Sequence, residues 1–203
     1  FPTRRSSDQV IDTDNLKNSM IPHNRPTLGK EEEDAAIRVL REGWLAQGEE
    51  VKKFENEFCD YLGLPHGHAV ALSNGTSSLF LALHVLNGEN KKILFPSYVC
   101  SALRYAVSMV NGIEKLIDIS PNSPNISMSE INDNTHDLSI IPHMYGIPIN
   151  FENKSKPVIE DCCQALGAKV NNQFVGLKGD ISIFSFYVTK LMTSGGQGGM
   201  LIS

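Results

Sequence analysis

The sequence predicts an α/β fold in which helices flank a mainly parallel β-sheet. From residue 68 onward, short apolar runs alternate with longer helical patterns, which is typical of parallel sheets with helical crossovers. Several runs are nearly continuous in Ile, Val and Leu, as expected for strands buried on both faces. No internal repeat or low-complexity linker interrupts residues 25–203, so we expect a single domain there.

Composition and charge argue against several other classes of protein. The 203 residues carry 18 Lys and Arg against 23 Asp and Glu, and this net charge of −5 argues against a nucleic-acid surface. No apolar run approaches the roughly 20 residues of a membrane span, and the polar N-terminus lacks the apolar core of a signal peptide. The four cysteines lack C-x-x-C spacing. We therefore expect a cytoplasmic protein with reduced thiols that binds neither nucleic acid nor membranes.

The beginning of the chain lies outside the predicted domain. Residues 1–8 read FPTRRSSD, show no periodicity and resemble a translated cloning scar, so we interpret them as a non-native leader. Residues 9–24 form a polar lead-in. The predicted domain covers residues 25–203.

Two helices are predicted ahead of the sheet. The first covers residues 30–42, because an acidic run opens an amphipathic segment and Gly43 follows as a stop signal. The second covers residues 49–62, where apolar side chains recur at spacings of three and four. Strands are then predicted at 69–73, 93–97, 115–120, 138–143, 157–161, 180–186 and 199–203, with helices at 76–87 and 100–111.

Ligands of such a sheet bind at the carboxyl ends of the strands, so the loops there carry the functional signal. After the first strand, Asn74-Gly75-Thr76-Ser77-Ser78 leads into an apolar helix. A helix start with small side chains favours phosphate, because its free N–H groups and positive end face the anion. The same residues are consistent with ordinary N-capping by Asn74, Thr76 or Ser77. Both interpretations stay open.

Two carboxylates end the strand predicted at 157–161. Glu160 and Asp161 sit where a charge is unfavourable unless it meets a cation or hydrogen-bond donors. Asp161 could equally cap the turn that follows. Gln164 lies three residues further on and is a candidate for the same site.

A lysine follows the strand predicted at 180–186. Lys190 precedes the run Gly195-Gly196-Gln197-Gly198-Gly199, whose backbone is open enough for close contact with a ligand. A desolvated lysine amine is a nucleophile that forms Schiff bases. The alternative is a surface lysine beside a flexible loop, and the position alone does not separate the two.

Together the three loops match the needs of pyridoxal 5′-phosphate (PLP). A helix start holds the phosphate, an acidic side chain keeps a proton on the pyridine nitrogen, and a lysine carries the aldehyde as an imine. The combination is far more specific than any of its parts.

The order and spacing of these residues resemble the DegT/DnrJ/StrS-type sugar aminotransferases, PLP enzymes of the aspartate-aminotransferase fold. The resemblance runs from about residue 21 to residue 203. It implies a three-layer PLP-transferase large domain that is truncated at its C-terminal end and lacks the family's small domain. The matching stretches are Gly43-Trp44-Leu45 with Gln47-Gly48, Val51-x-x-Phe54-Glu55, Ser73-Asn74-Gly75-Thr76, Glu160-Asp161-x-x-Gln164-x-x-Gly167-Ala168, Gly179-Asp180, and Ser185-Phe186-x-x-Thr189-Lys190 with the Gly-rich run.

The resemblance implies three roles around the cofactor ring. Lys190 is expected to form the imine with the cofactor and to act as the base that moves the α-proton. Asp161 is expected to pair with the pyridine nitrogen, and Gln164 to bond the ring hydroxyl. Relatives that dehydrate sugars carry His at the position of this lysine, so Lys190 favours transamination.

The resemblance also implies ligands for the cofactor phosphate, and the chain departs from the family pattern at two positions. Gly75, Thr76 and Ser77 are expected to bind the phosphate, joined by Ser185. An aromatic residue usually stacks on the ring where this chain has Cys100, with Tyr98 nearby. A second departure is the neutral Gln197, which replaces a family glutamate near the lysine. Both changes are consistent with a subgroup that has a different substrate.

The implied reaction moves an amino group from an amino acid, usually glutamate, to a keto-sugar nucleotide for amino-sugar biosynthesis. The alternatives are a catalytically inactive relative that binds PLP or a sugar nucleotide, and a nucleotide-binding α/β module without PLP. The family resemblance implies a homodimer in the full-length form. We expect residues 1–203 alone to be inactive.

Overall fold

A computed structural model of the chain describes residues 24–133, 135–151 and 155–203. The predicted leader at 1–8 and nearly all of the lead-in at 9–24 lie outside the described residues. Within the described part of the chain, no helix is both long and apolar enough to cross a membrane.

Five helices and nine strands are found in the described residues. The helices are α1 (Lys30–Glu42), α2 (Glu49–Leu62), α3 (Gly75–Val85), α4 (Ala102–Met109) and α5 (Met128–Asp133). The strands are β1 (Ala69–Leu72), β2 (Lys92–Pro96), β3 (Ile113–Ile117), β4 (Leu138–Pro142), β5 (Val158–Asp161), β6 (Lys169–Val170), β7 (Gln173–Phe174), β8 (Ile181–Ser185) and β9 (Gly199–Ile202). A short 3-10 helix, Met144–Gly146, follows β4.

Seven strands form one sheet in the order β1-β9-β8-β5-β4-β2-β3. Strands β2, β3, β4, β5 and β8 pair in parallel, whereas β9 runs antiparallel between β1 and β8. The carboxyl ends of the parallel strands therefore lie at one edge of the sheet. The predicted α/β class with a mainly parallel sheet is confirmed.

Helices cover both faces of this sheet and so complete three layers. The core on one face is built from α3 and α4 against strand residues such as Ile159 and Ile183. Facing the other side, the next residue of β8, Phe184, packs with α2 residues such as Phe58. Consecutive strand residues thus pack into the cores on opposite faces of the sheet. Both faces need apolar side chains, which is why the strands are continuous apolar runs in the sequence.

The two N-terminal helices have the bounds predicted from the sequence. Gly43 and Gly63 end them in the left-handed conformation, with φ of 75° and 74°. Glycine adopts this conformation without the steric cost that a Cβ imposes, so both helices stop where a glycine follows.

The largest differences from the prediction are in strand β3, in the hairpin of β6 and β7, and in helix α5. Strand β3 lies two residues earlier than predicted, because its register is set by pairing with β2, with Ile113 opposite Lys92. The hairpin of β6 and β7 was not predicted, although its turn residues Asn171 and Asn172 adopt positive φ, as type I′ turns require. Helix α5 was also missed, since six residues carry little periodic signal.

Candidate active site

A cavity of about 510 Å³ lies at the carboxyl ends of the parallel strands. Its volume falls within the usual range for small-molecule sites. The structure brings all eight residues predicted from the sequence onto its wall, although they come from four separate segments; their individual functions stay predictions. They are Gly75, Thr76, Ser77, Cys100, Asp161, Gln164, Ser185 and Lys190.

The start of α3 forms one end of the cavity. The Asn74 side chain accepts a hydrogen bond from the N–H of Ser77 at 2.8 Å, so Asn74 is the N-cap. The capping interpretation is therefore right for Asn74. It leaves the anion-site interpretation intact, because the cap engages one N–H group and the first turn of a helix has others without intrahelical partners. Thr76 and Ser77, which belong to this first turn of α3, line the cavity.

Two glycines allow this helix start to lie against the strands. A Cβ on Gly199 would stand 2.3 Å from the carbonyl oxygen of Asn74, and a Cβ on Gly75 would stand 3.0 Å from the Cβ of Ser185. Gly199 pairs with Leu72 and with Ser185, so the ends of β1 and β8 lie side by side with the start of β9. This close approach brings Ser185 to the turn that carries Thr76 and Ser77.

Asp161 ends β5 and is buried, with 8% of its surface exposed. One carboxylate oxygen accepts the N–H of Cys163 at 3.0 Å. Asp161 therefore caps the following turn and also lines the cavity, and its pairing with a cation there stays a prediction.

Glu160 is buried behind the cavity in a dense set of donors. Its carboxylate accepts hydrogen bonds from His143 Nε2 at 3.1 Å and from the backbone N–H groups of Gly176, Lys178 and Gly179. Burial acts to raise its pKa, but the bonds from His143, Gly176 and Gly179 outweigh it, so the pKa lies below the ordinary value. The donors explain how a charge is accommodated there.

His143 is fixed in one protonation pattern by its two partners. Its Nδ1 accepts the N–H of Ile149 at 3.0 Å, so Nε2 carries the proton that is donated to Glu160. Ligand atoms of His143, Glu160 and Cys162 lie within 4.8 Å of one another. They do not suit a metal, because Nδ1 of His143 and the carboxylate of Glu160 are already engaged in hydrogen bonds within the protein.

Gln164 contacts the loop that follows β4. Its side-chain oxygen accepts the N–H of Tyr145 at 3.1 Å, and the residue lines the cavity. Because the oxygen is engaged, the amide nitrogen is the end of the side chain left to donate into the cavity.

Lys190 lies on the loop after β8 and is half-buried. Its N–H bonds the carbonyl of Tyr187 at 2.8 Å, and Tyr187 bridges to Gly196 across the Gly-rich run. Lys190 is one of the residues that line the cavity. This position is compatible with the expected role of the lysine, which stays a prediction.

Two thiols line the cavity, one more than the sequence indicated. Cys100 precedes α4 and is exposed in the wall, whereas Tyr98 instead bonds the hydroxyl of Tyr145 at 2.8 Å. Cys163, which the sequence does not single out as a site residue, is half-buried and also lines the cavity, whereas its neighbour Cys162 is buried. Burial, followed by the charge of Asp161, raises the pKa of the Cys163 thiol well above its ordinary value, so it is not a thiolate nucleophile.

His143 and Asn125 are the site-supporting residues that sequence reasoning underrated. Neither residue belongs to the motifs from which the site is predicted. Asn125 is 3% exposed and binds the backbone of the loop after β4 on both sides of Tyr145. A buried polar residue cannot be recognised from sequence before the fold is known.

The donor set fits PLP. The cavity holds an amine at Lys190, a carboxylate at Asp161 and a capped helix N-terminus, which match the cofactor's aldehyde, pyridine nitrogen and phosphate. Gly75 lets this helix N-terminus lie close to Ser185, because a Cβ at position 75 would stand 3.0 Å from the Cβ of Ser185.

Relatives of this chain share both sequence and fold. GDP-perosamine synthase of Escherichia coli O157:H7 is 32% identical over 195 residues, which cover 90% of this chain and 53% of the relative. UDP-N-acetyl-3-dehydro-α-D-glucosamine 3-aminotransferase of Acidithiobacillus ferrooxidans is 31% identical over 177 residues, covering 82% and 47%. An aminotransferase structure from Psychrobacter cryohalolentis superposes with a TM-score of 0.79 at 28% identity, covering 89% of this chain and 48% of that one.

The chain spans about half the length of the curated relatives it matches. A family model matches residues 26–203, and this match confirms the resemblance read from the motifs. It also supports PLP as the cofactor. The chain belongs to the DegT/DnrJ/EryC1/StrS aminotransferase family.

Proposed function

We propose that the whole protein containing this chain is a PLP-dependent aminotransferase that transfers an amino group from an amino acid, most simply glutamate, to a keto-sugar nucleotide. The observation that carries the proposal is that one cavity collects an amine, a carboxylate and a helix N-terminus from segments far apart in the sequence. The named relatives, a GDP-perosamine synthase and a 3-aminotransferase of a UDP-sugar, favour a nucleotide sugar as acceptor.

Each residue of the cavity has a separate task in this proposal. When bound, PLP supplies an aldehyde that condenses with amines and a ring that accepts electrons. Asp161 opposes a protonated ring nitrogen with its negative charge, and the α3 N-terminus binds the phosphate through N–H groups and the hydroxyls of Thr76 and Ser77. Ser185, which lies against Gly75, contributes a further hydroxyl.

Lys190 is the group that moves a proton. A primary amine in a partly desolvated cavity accepts a proton from carbon and returns it, as a general acid–base catalyst must. The role is supported by the half-buried position of Lys190 on the loop after β8, in the lining of the cavity that Asp161 and Gln164 also line.

The first test asks whether Lys190 binds the cofactor. Addition of PLP to the intact protein is expected to produce a visible absorbance band, and borohydride reduction is expected to fix the cofactor on the peptide containing Lys190. Lys190→Ala should abolish the band, whereas Lys91→Ala, an exposed lysine remote from the cavity wall, should keep it. Modification of other lysines without Lys190 would contradict the assignment.

The second test separates an aminotransferase from an inactive relative. The intact protein loaded with PLP is mixed with glutamate alone, and formation of 2-oxoglutarate is measured together with the loss of the visible band. Stoichiometric oxoacid is expected, followed by multiple turnovers when a keto-sugar nucleotide is added. A stable band with no oxoacid would favour the inactive relative.

A further inference from the structure

The loop after β4 holds a residue in an unusual backbone conformation. Tyr145 has φ of 56° and ψ of 27°, in the left-handed region that bulky residues rarely adopt. Its side chain is exposed, so core packing does not explain the conformation. Such strain persists only where the surroundings fix the backbone, and it concentrates at functional sites.

Asn125 fixes this backbone on both sides of Tyr145. Its side-chain oxygen accepts the N–H of Met144 at 2.9 Å, and its side-chain nitrogen donates to the carbonyl of Ile147 at 2.8 Å. Asn125 is buried and comes from the segment between β3 and α5, far away in the sequence. The turn is closed by the N–H of Ile147, which bonds the carbonyl of Met144.

His143 anchors the two ends of the same loop. Its Nδ1 accepts the N–H of Ile149, which draws the end of the loop back to its start. Its Nε2 donates to Glu160, whose carboxylate is held by three backbone N–H groups. The loop is therefore fastened to the strand that carries Asp161.

These hydrogen bonds fix the direction of one backbone donor, the N–H of Tyr145. In the left-handed conformation the N–H of Tyr145 points at Gln164 and bonds its side-chain oxygen at 3.1 Å. An amide whose oxygen is engaged in this way presents its nitrogen on the other side. The orientation of Gln164 thus depends on the backbone of Tyr145 rather than on a side chain.

We propose that Tyr145 is a positioning residue, whose backbone, held by Asn125 and His143, turns the Gln164 amide nitrogen into the cavity to donate to the ring oxygen of the cofactor. This inference rests on the proposed PLP function. It assigns the Tyr145 phenol no part in the orientation, since the contact with Gln164 is made by the main chain.

A matched pair of variants isolates the backbone. Tyr145→Gly and Tyr145→Val both remove the phenol and its bond to Tyr98. Glycine adopts a positive φ freely, whereas a β-branched valine resists it, so only the valine variant should move the N–H away from Gln164. All other ionisable groups that line the cavity, including Asp161, His143, Cys163 and Lys190, are the same in both variants.

The first readout needs no cofactor. Amide hydrogen exchange of residue 145, followed by NMR in the protein without PLP, should be slowed despite the exposure of the side chain. It should become faster by on the order of tenfold in Gln164→Ala, which removes the acceptor. Unprotected exchange in the unaltered protein would overturn the proposal whether or not the protein binds PLP.

The second readout is the pH midpoint of the visible absorbance of the PLP-loaded protein. A hydrogen bond to the ring oxygen stabilises the negative charge on that oxygen. Loss of the bond makes the proton on the neighbouring imine harder to remove, because the oxygen is then less stable as an anion, and the pH midpoint of the absorbance rises. We expect Tyr145→Val and Gln164→Ala each to raise it by about one pH unit, the equivalent of one hydrogen bond to a charged group. Tyr145→Gly should keep the original midpoint.

A double-variant cycle completes the test. In the Gln164→Ala background, Tyr145→Val should cause no further shift, because both changes remove the same bond. Equal midpoints for Tyr145→Val and Tyr145→Gly would overturn this inference alone. No visible band in the unaltered protein would overturn the proposed function and this inference with it.

Discussion

The helices α1 and α3 show how differently two helices of similar length are held. α3 opens at the cavity, packs against β8, β9 and α4, and buries Leu79, Ala82 and Leu83. α1 has no buried residue, and its apolar side chains Ile37 and Leu40 are 41% and 63% exposed. Caps and surface ion pairs support α1, whereas the sheet supports α3. Helical pattern alone therefore does not report how much a helix contributes to stability.

The same comparison can be made between a buried carboxylate, Glu160, and an exposed one, Glu50. Substitution of Glu160 is expected to have the largest effect on the free energy of unfolding. Glu160→Ala would leave the proton of His143 and three backbone N–H groups without their acceptor, and we expect a loss of roughly 3–5 kcal/mol in the free energy of unfolding. Urea denaturation of the intact protein measures it. Glu160→Gln, which keeps one acceptor oxygen, should lose less.

The pH dependence of Glu160 has a definite sign. Its pKa is lowered in the folded protein, so the carboxylate contributes stability above the unfolded value near 4.5, and this contribution is lost as the pH falls through the folded value. The unaltered protein should therefore lose stability on acidification below about pH 4.5 more steeply than Glu160→Gln. Parallel pH profiles would contradict the assignment.

Core truncation should separate the two helices next. Leu83 is fully buried in α3, and Leu83→Ala is expected to cost about 2–5 kcal/mol through lost burial and a cavity. Leu40→Ala on α1 should change the free energy of unfolding by less than about 0.5 kcal/mol, because the side chain is exposed. Denaturant unfolding measures both variants, provided that the slope of the unfolding free energy against denaturant concentration is unchanged. Equal losses of stability in the two variants would contradict the comparison.

Two glycines of the Gly-rich run, Gly199 at the start of β9 and Gly196 in the loop before it, test the close approach at the start of α3. Gly199→Ala would place a Cβ 2.3 Å from the Asn74 carbonyl, and we expect a loss of about 1–3 kcal/mol together with weaker PLP binding. Gly196→Ala meets no atom within 4 Å and has no positive φ, so it should unfold like the unaltered protein. Thermal unfolding and PLP titration measure the pair.

The smallest effect is expected from the exposed ion pair that joins α1 to α2. Arg38 bonds both carboxylate oxygens of Glu50 at 3.0 Å, and these bonds, together with one from Lys53, lower the pKa of Glu50 to about 2. Glu50→Gln should change stability little, because solvent screens the pair. NMR titration of Glu50 should give the low pKa at low salt and a value nearer 4.5 at high salt.

Much of the fold could be predicted because its signals are local. The bounds of α1 and α2 follow from apolar periodicity and a terminal glycine, and β5 follows from a continuous apolar run. The position of β3 could not be predicted in the same way, since its register is set by contact with β2. The hairpin turn does carry a local signal, the two consecutive asparagines Asn171 and Asn172, which tolerate the positive φ that the turn requires.

The parts of the candidate site that could be predicted are charged residues that have little structural purpose at their positions. A lysine after a buried strand and an aspartate at a strand end stand out in the sequence, and the structure brings Lys190 and Asp161 to one cavity. His143 and Asn125 do not stand out, because a buried polar residue is recognised only by its partners. Two of these partners, Glu160 for His143 and Ile147 for Asn125, lie 17 and 22 residues away in the sequence.

The sequence by itself determined the layered α/β class, the order of the loops and the residue types that a PLP site needs, because periodicity and side-chain chemistry are properties of short segments. Only the tertiary structure decided how those residues are oriented. The direction of the Gln164 amide depends on the strained backbone of Tyr145, and that backbone depends on Asn125 and on the His143–Glu160 pair. Hydrogen bonds between distant segments form only once the sheet has set the register of its strands.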